Sequence, residues 1–186
     1  EIGRALDLGV RGVVVPHGNL ERCRAALEAA RYAPQGRRGA CPAVRAAGYL
    51  PADWAAFAAR ENEEILVVPL IEDGDALEQI EQVVALDGIE IVFLGPFDLA
   101  QSLGLPGADY RHPTLSAALD RVVAAAAARG KWVMTTVGAT IDEVYASLLV
   151  ERGVRLLSFS ADVAVFLAAC RRIAALRDGG RQKGST

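Results

Sequence analysis

Ile65-Leu66-Val67-Val68-Pro69-Leu70-Ile71-Glu72-Asp73 sets seven apolar residues in a row and closes them with two carboxylates. The run has no apolar/polar alternation, which is the pattern of a strand covered on both faces, as in parallel sheets. Residues 13–15, 89–94, 132–137 and 154–159 read the same way. None approaches the roughly 18 apolar residues of a membrane span.

Helical patterns fill the intervals. Asn19 is placed to N-cap Leu20–Ala30, where Leu20, Cys23, Leu27 and Ala30 recur on one face. Residues 73–86 carry Leu77, Ile80, Val83 and Val84, and residues 113–129 open on Pro113 and stop at Gly130. Thr140-Ile141-Asp142-Glu143 is a capping-box sequence that opens a helix to about Arg152. A last helix is expected over about 162–177, followed by a polar tail at 178–186. Strand–helix alternation implies right-handed βαβ units and a parallel sheet, in one domain over 1–177. A doubly wound open sheet and a (β/α)8 barrel both satisfy it. The barrel needs eight strands and typically about 250 residues, so length alone favours the open sheet.

The 186 residues are 52% hydrophobic and 23% charged, with a net charge of -3. That balance argues against disorder. No basic stripe carries interleaved aromatics, which argues against a dedicated nucleic-acid binder. Cys23, Cys41 and Cys170 form no CxxC pair and give no disulfide or zinc framework, so a reducing cytoplasm fits. The chain opens on Glu1, not Met.

In either architecture ligands bind beyond the carboxyl ends of the strands. Glu72 directly ends its run, and Asp98 follows Val92-Phe93-Leu94-Gly95-Pro96-Phe97. On neighbouring strands both carboxylates would reach one mouth, as hard oxygen ligands suited to Mg²⁺, Mn²⁺ or Co²⁺. Gly95 and Pro96 turn the chain, so that N–H groups after Pro96 could face an anion. Each acid also has a plain structural reading. Asp98 could N-cap a helix over 99–103 with Gln101 three residues on, and Glu72 could favour a helix N-terminus. His17, at a strand end, could bind substrate or move a proton, or be a solvated turn histidine. His112, just before Pro113, reads as structural. Lys131 precedes its strand and Lys183 is in the tail, so neither suits Schiff-base chemistry at the mouth. Cys41 reads as an incidental thiol. Phosphate-loop, dinucleotide-binding, serine-elbow and HExxH motifs are all missing.

Taken in order, several segments resemble the HpcH/HpaI aldolase family. They are Gly12-Val13-Val14-Val15-Pro16, the RYxPxGxRG pattern over 31–39, and Pro69-Leu70-Ile71-Glu72. Then come the GPxDL pattern Gly95-Pro96-Phe97-Asp98-Leu99, Ser102-Leu103-Gly104 and His112-Pro113. The resemblance implies a (β/α)8 TIM barrel of the phosphoenolpyruvate/pyruvate type, with this chain supplying about strands four to eight. It overturns the preference drawn from length. It implies that Glu72 and Asp98 hold a divalent metal, and that Gly95, Pro96, Phe97 and Asp98 bind the carboxylate of a small 2-oxo acid.

The activity so implied is cleavage of a 4-hydroxy-2-oxo acid to pyruvate and an aldehyde. The catalytic base and the enolate-stabilising arginine are expected upstream of Glu1; His17 and Arg38 could line the mouth but are not put in their place. A citrate lyase β-type acyl-CoA lyase and a truncated, inactive half-barrel are the alternatives. The resemblance also implies a homo-oligomer, for which Val163, Phe166, Leu167, Cys170 and Ile173 offer an apolar face that equally fits ordinary packing. Two positions depart from the family pattern: Leu70, where Gln or Met is common, and Ser160, where Gly is common.

Overall fold

Five apolar runs become five strands because each is short, β-branched and flanked by helix-forming sequence. A computed structural model describes residues 1–138, 142–159 and 161–182, with side chains as far as residue 176. A short helix α1 (Ile2–Asp7) leads into β1 (Gly12–Val15) and α2 (Leu20–Ala30). A 3₁₀ turn (Arg45–Ala47) and α3 (Trp54–Glu64) precede β2 (Leu66–Ile71). Then follow α4 (Gly74–Glu78), α5 (Ile80–Val83), β3 (Ile91–Leu94), α6 (Pro96–Ser102) and α7 (Pro113–Ala127). The chain closes with β4 (Trp132–Gly138), α8 (Glu143–Glu151), β5 (Leu156–Phe159) and α9 (Asp162–Gln182).

The strands are parallel and lie in sequence order, β1-β2-β3-β4-β5. A doubly wound sheet reverses its order at a switch point; this sheet does not, so the open-sheet alternative is set aside. The order is that of an arc of a (β/α) barrel. Ile71 sits opposite Leu94, and Leu94 opposite Thr135, so the strand ends that carry the site are in register. Val92, Leu94, Val133 and Val137 face the helices and are buried with Ile80, Val83, Leu119 and Val122. The alternate residues of β3 and β4 are less covered.

Several helices differ in detail from the sequence reading. The single helix expected over 73–86 is broken at Gln79. Its neighbours pull it apart: Arg121 takes the Glu78 carbonyl, and the Gln79 side chain accepts from the Leu20 N–H at the start of α2. α8 begins two residues into the expected capping box: Asp142 is the N-cap and accepts from the Tyr145 N–H, while Thr140 lies outside the described residues. α9 runs on to Gln182, past the expected stop near Arg177. The Asn19 cap and the His112 start of α7 are as read, His112 Nδ1 accepting from the Thr114 N–H.

The loop over 31–39 is held by close approach. A Cβ on Gly36 would sit 2.5 Å from the Arg31 carbonyl oxygen and 2.6 Å from that of Glu28, so only glycine fits there. Arg38 turns inward. Its guanidinium is fully buried, 3.0 Å from Asp7 and 3.3 Å from Glu61, and lies 4.6 Å over the Tyr32 ring. Arg11, just before β1, donates to the same Glu61 at 2.7 Å. This places Arg38 at the amino end of the sheet and corrects the suggestion that it lines the mouth.

Candidate active site

Glu72 follows the last residue of β2 and is 7% exposed. Its Oε1 accepts the His17 backbone N–H at 2.9 Å; among the described residues Oε2 accepts no hydrogen bond. Lys and Arg make no ion pair with it among the described residues. The nearest basic group is His17 Nδ1 at 3.8 Å, and that ring is bonded to Asp73 Oδ2 at 2.8 Å instead. A buried carboxylate without a cation is costly, and a bound cation would remove the cost. The turn after β3 makes room for it. A Cβ on Gly95 would lie 3.1 Å from Glu72 Cβ and 3.7 Å from Oε2.

Asp98 is exposed on the first turn of α6. The helix begins at Pro96 with Gly95 at the N-cap, and no side chain caps it. The capping role considered for Asp98 is therefore not the one it has. It forms no ion pair among the described residues. Its charge is felt by Tyr110, whose phenol is pushed up by burial first and by Asp98 second. The Phe97 and Asp98 N–H groups belong to the first turn, whose donors have no acceptor within the helix. Phe97 itself is 61% exposed.

The fold thus brings together Glu72, Gly95, Pro96, Phe97 and Asp98 at the carboxyl ends of adjacent strands, and adds His17 from the end of β1. His17 adopts a positive φ of 49°, and its ring is bonded to Asp73. No group of three or more His, Cys, Asp or Glu among the described residues is arranged to hold a metal. A cation here would take two carboxylates from this chain and complete its shell with water or substrate oxygens, as Mg²⁺ commonly does. Lys131 lies at the far end, paired with Glu90 at 2.8 Å. Cys41 is an exposed free thiol and Cys23 a buried one. The position of Ser160 lies outside the described residues.

Sequence reading missed the opposite wall of this mouth. Tyr110 and Arg111 come from the link between α6 and α7, and Arg111 pairs with Asp142 at 2.5 Å. Nothing in the local pattern marks them; only the placement of α8 beside that link does.

Residues 1–169 match the model of the HpcH/HpaI aldolase/citrate lyase family. The chain belongs to that family. A hydroxypyruvate/pyruvate aldolase of Sagittula stellata is 40% identical over 120 residues, covering 64% of this chain and 46% of the relative. A second hydroxypyruvate/pyruvate aldolase, from Cupriavidus necator, is 33% identical over 178 residues, covering 94% and 63%. A crystal structure of an HpcH/HpaI aldolase/citrate lyase family protein from Burkholderia cenocepacia J2315 matches with a TM-score of 0.83 at 33% identity, over 95% of this chain and 68% of that one. The chain therefore spans less than two thirds of the length of these two curated relatives.

Proposed function

We propose that the protein is a carbon–carbon lyase that cleaves a 4-hydroxy-2-oxo acid to pyruvate and an aldehyde, in a homo-oligomer. The observation that carries this reading is the pair Glu72 and Asp98: two carboxylates at the ends of adjacent strands, neither with a Lys or Arg partner among the described residues. Relatives named as pyruvate aldolases support the reaction class.

Glu72 and Asp98 would hold a divalent cation such as Mg²⁺, Mn²⁺ or Co²⁺. When bound, it supplies Lewis-acid polarisation of the 2-oxo group, worth several kcal/mol as negative charge develops there. The chain does the rest by placement. The Phe97 and Asp98 N–H groups receive the carboxylate of the 2-oxo acid, and Gly95 lets Glu72 lie flat against the turn. The His17 N–H fixes Glu72 Oε1, which leaves Oε2 for the cation. The proton acceptor for the 4-hydroxyl is not assigned to a residue of this chain.

The test is retro-aldol turnover of a 4-hydroxy-2-oxo acid, followed by pyruvate release, before and after chelation. Activity that disappears with chelator and returns with Mn²⁺ is expected, and Asp98→Asn should lower kcat at least 100-fold with unchanged circular dichroism. Equal turnover after metal removal would refute the reading. The matching family description also names citrate lyases; a strict need for a CoA thioester in the same assay would favour that chemistry.

A further inference from the structure

Beside Asp98 the structure holds a second cleft, of about 300 Å³. Phe97, Tyr110, Arg111, Val137, Asp142 and Tyr145 are among its lining residues. It opens at the carboxyl ends of β3 and β4, the same end of the sheet as Glu72. The Tyr110 ring is packed so closely that a Cβ on Gly138 would lie 3.3 Å from it. Tyr145 Oη donates to the Tyr110 carbonyl at 3.3 Å. The cleft is thus a built one, tied from two elements.

Its charge pattern is specific. Arg111 is the one cation among the described lining residues. Its Nη2 is 2.5 Å from Asp142 Oδ2, its Nη1 is 3.8 Å from Asp109, and its guanidinium lies 4.6 Å over the Tyr145 ring. Asp109 adds a further carboxylate to the lining. Two acids therefore flank one guanidinium that is already paired and stacked. An anionic group entering here meets no open cation and uncompensated negative charge, whereas an uncharged chain meets aromatic and aliphatic walls.

We infer that this cleft receives the aldehyde half of the substrate and selects uncharged aldehydes, because Asp142 occupies the Arg111 guanidinium. The inference rests on the aldolase reading above. It makes Arg111 and Asp142 specificity-determining residues that take no part in bond cleavage.

The test compares pyruvate addition to succinic semialdehyde with addition to methyl 4-oxobutanoate, which differs in lacking the tail charge. Mn²⁺-loaded wild type and Asp142→Asn are used; asparagine retains the cap on α8. The wild type is expected to prefer the ester by at least tenfold in kcat/KM, and Asp142→Asn to bring the two within about threefold by freeing Arg111. Equal use of both by the wild type, or an unchanged preference in Asp142→Asn, would overturn the cleft assignment and leave the aldolase reading standing. If neither aldehyde reacts, the aldolase reading falls. Ligand-observed NMR with succinate and its dimethyl ester then decides the cleft: saturable binding of the diester alone, with succinate gained in Asp142→Asn, upholds its selectivity, and any other pattern refutes it.

Discussion

At Gly95 a single methyl group decides whether Glu72 keeps its place. A Cβ there comes to 3.1 Å from both Glu72 Cβ and Leu70 Cδ1, tighter than packed atoms tolerate without movement. Gly95→Ala is expected to cost about 1–3 kcal/mol of stability as overpacking and to weaken Mn²⁺ binding by about tenfold, measured by thermal melts and calorimetry on one sample. Cys23 shows the opposite case, a polar atom sealed in. Burial pushes its thiol up from 9.0 to about 11. A thiol whose folded pKa is raised contributes stability that is complete below the unfolded value and is lost as pH rises through the folded one. Burial also raises Tyr32, Tyr110 and Tyr145, in the same direction. Unfolding free energy should therefore fall as pH climbs from about 9 toward 11. Near pH 8 a thiol reagent should label Cys41 quickly and Cys23 only on unfolding; a fast Cys23 would show the core of α2 to be open.

Among the elements, α3 is fastened at both ends by different means, and the two fastenings differ in strength. At its start Asp53 accepts the Ala56 N–H at 3.0 Å, an exposed cap. At its end buried Glu61 joins Arg38, Asp7 and Arg11. Asp53→Ala should cost about 1 kcal/mol, the ordinary worth of an N-cap. Arg38→Met should cost about 3 kcal/mol, since it leaves buried Glu61 with the half-exposed Arg11 as its one remaining cation among the described residues. Urea denaturation of both variants checks the order; equal losses would mean that water reaches the Arg38 cluster. Among the described residues the buried Arg38 Nε and Tyr32 Oη atoms have no hydrogen-bond partner, so the cluster is imperfectly satisfied and its net contribution stays below that of its contacts.

At the scale of the whole molecule, α9 is exposed along nearly all of its described side chains. Val163, Phe166 and Ile173 are each about two thirds exposed, and Leu176 more so. No other described residue covers them. Apolar area of this kind marks an association surface. Sedimentation velocity should show a species heavier than one chain, and Phe166→Asp should shift it toward the monomer. A monomeric wild type at tens of micromolar would refute the homo-oligomer. Among the described residues no helix is long and apolar enough to cross a membrane.

Local sequence determined the strands, most helix caps and the two acids. A strand-length apolar run followed by a carboxylate is legible because burial, chain stiffness and helix initiation act within a few residues. The runs ending at Ile71, Leu94 and Phe159 fall where they were read, and Glu72 and Asp98 stand beyond the first two. Long-range packing determined what the acids do. Only the pairing of β2 with β3 sets Glu72 against Gly95, and only the start of α6 at Pro96 frees Asp98 from capping. The break at Gln79, the burial of Arg38 and the Arg111–Asp142 pair likewise depend on partners more than 20 residues away. A residue's neighbours in sequence fix its backbone preference; its charge, partner and exposure are fixed by the surfaces that folding brings against it.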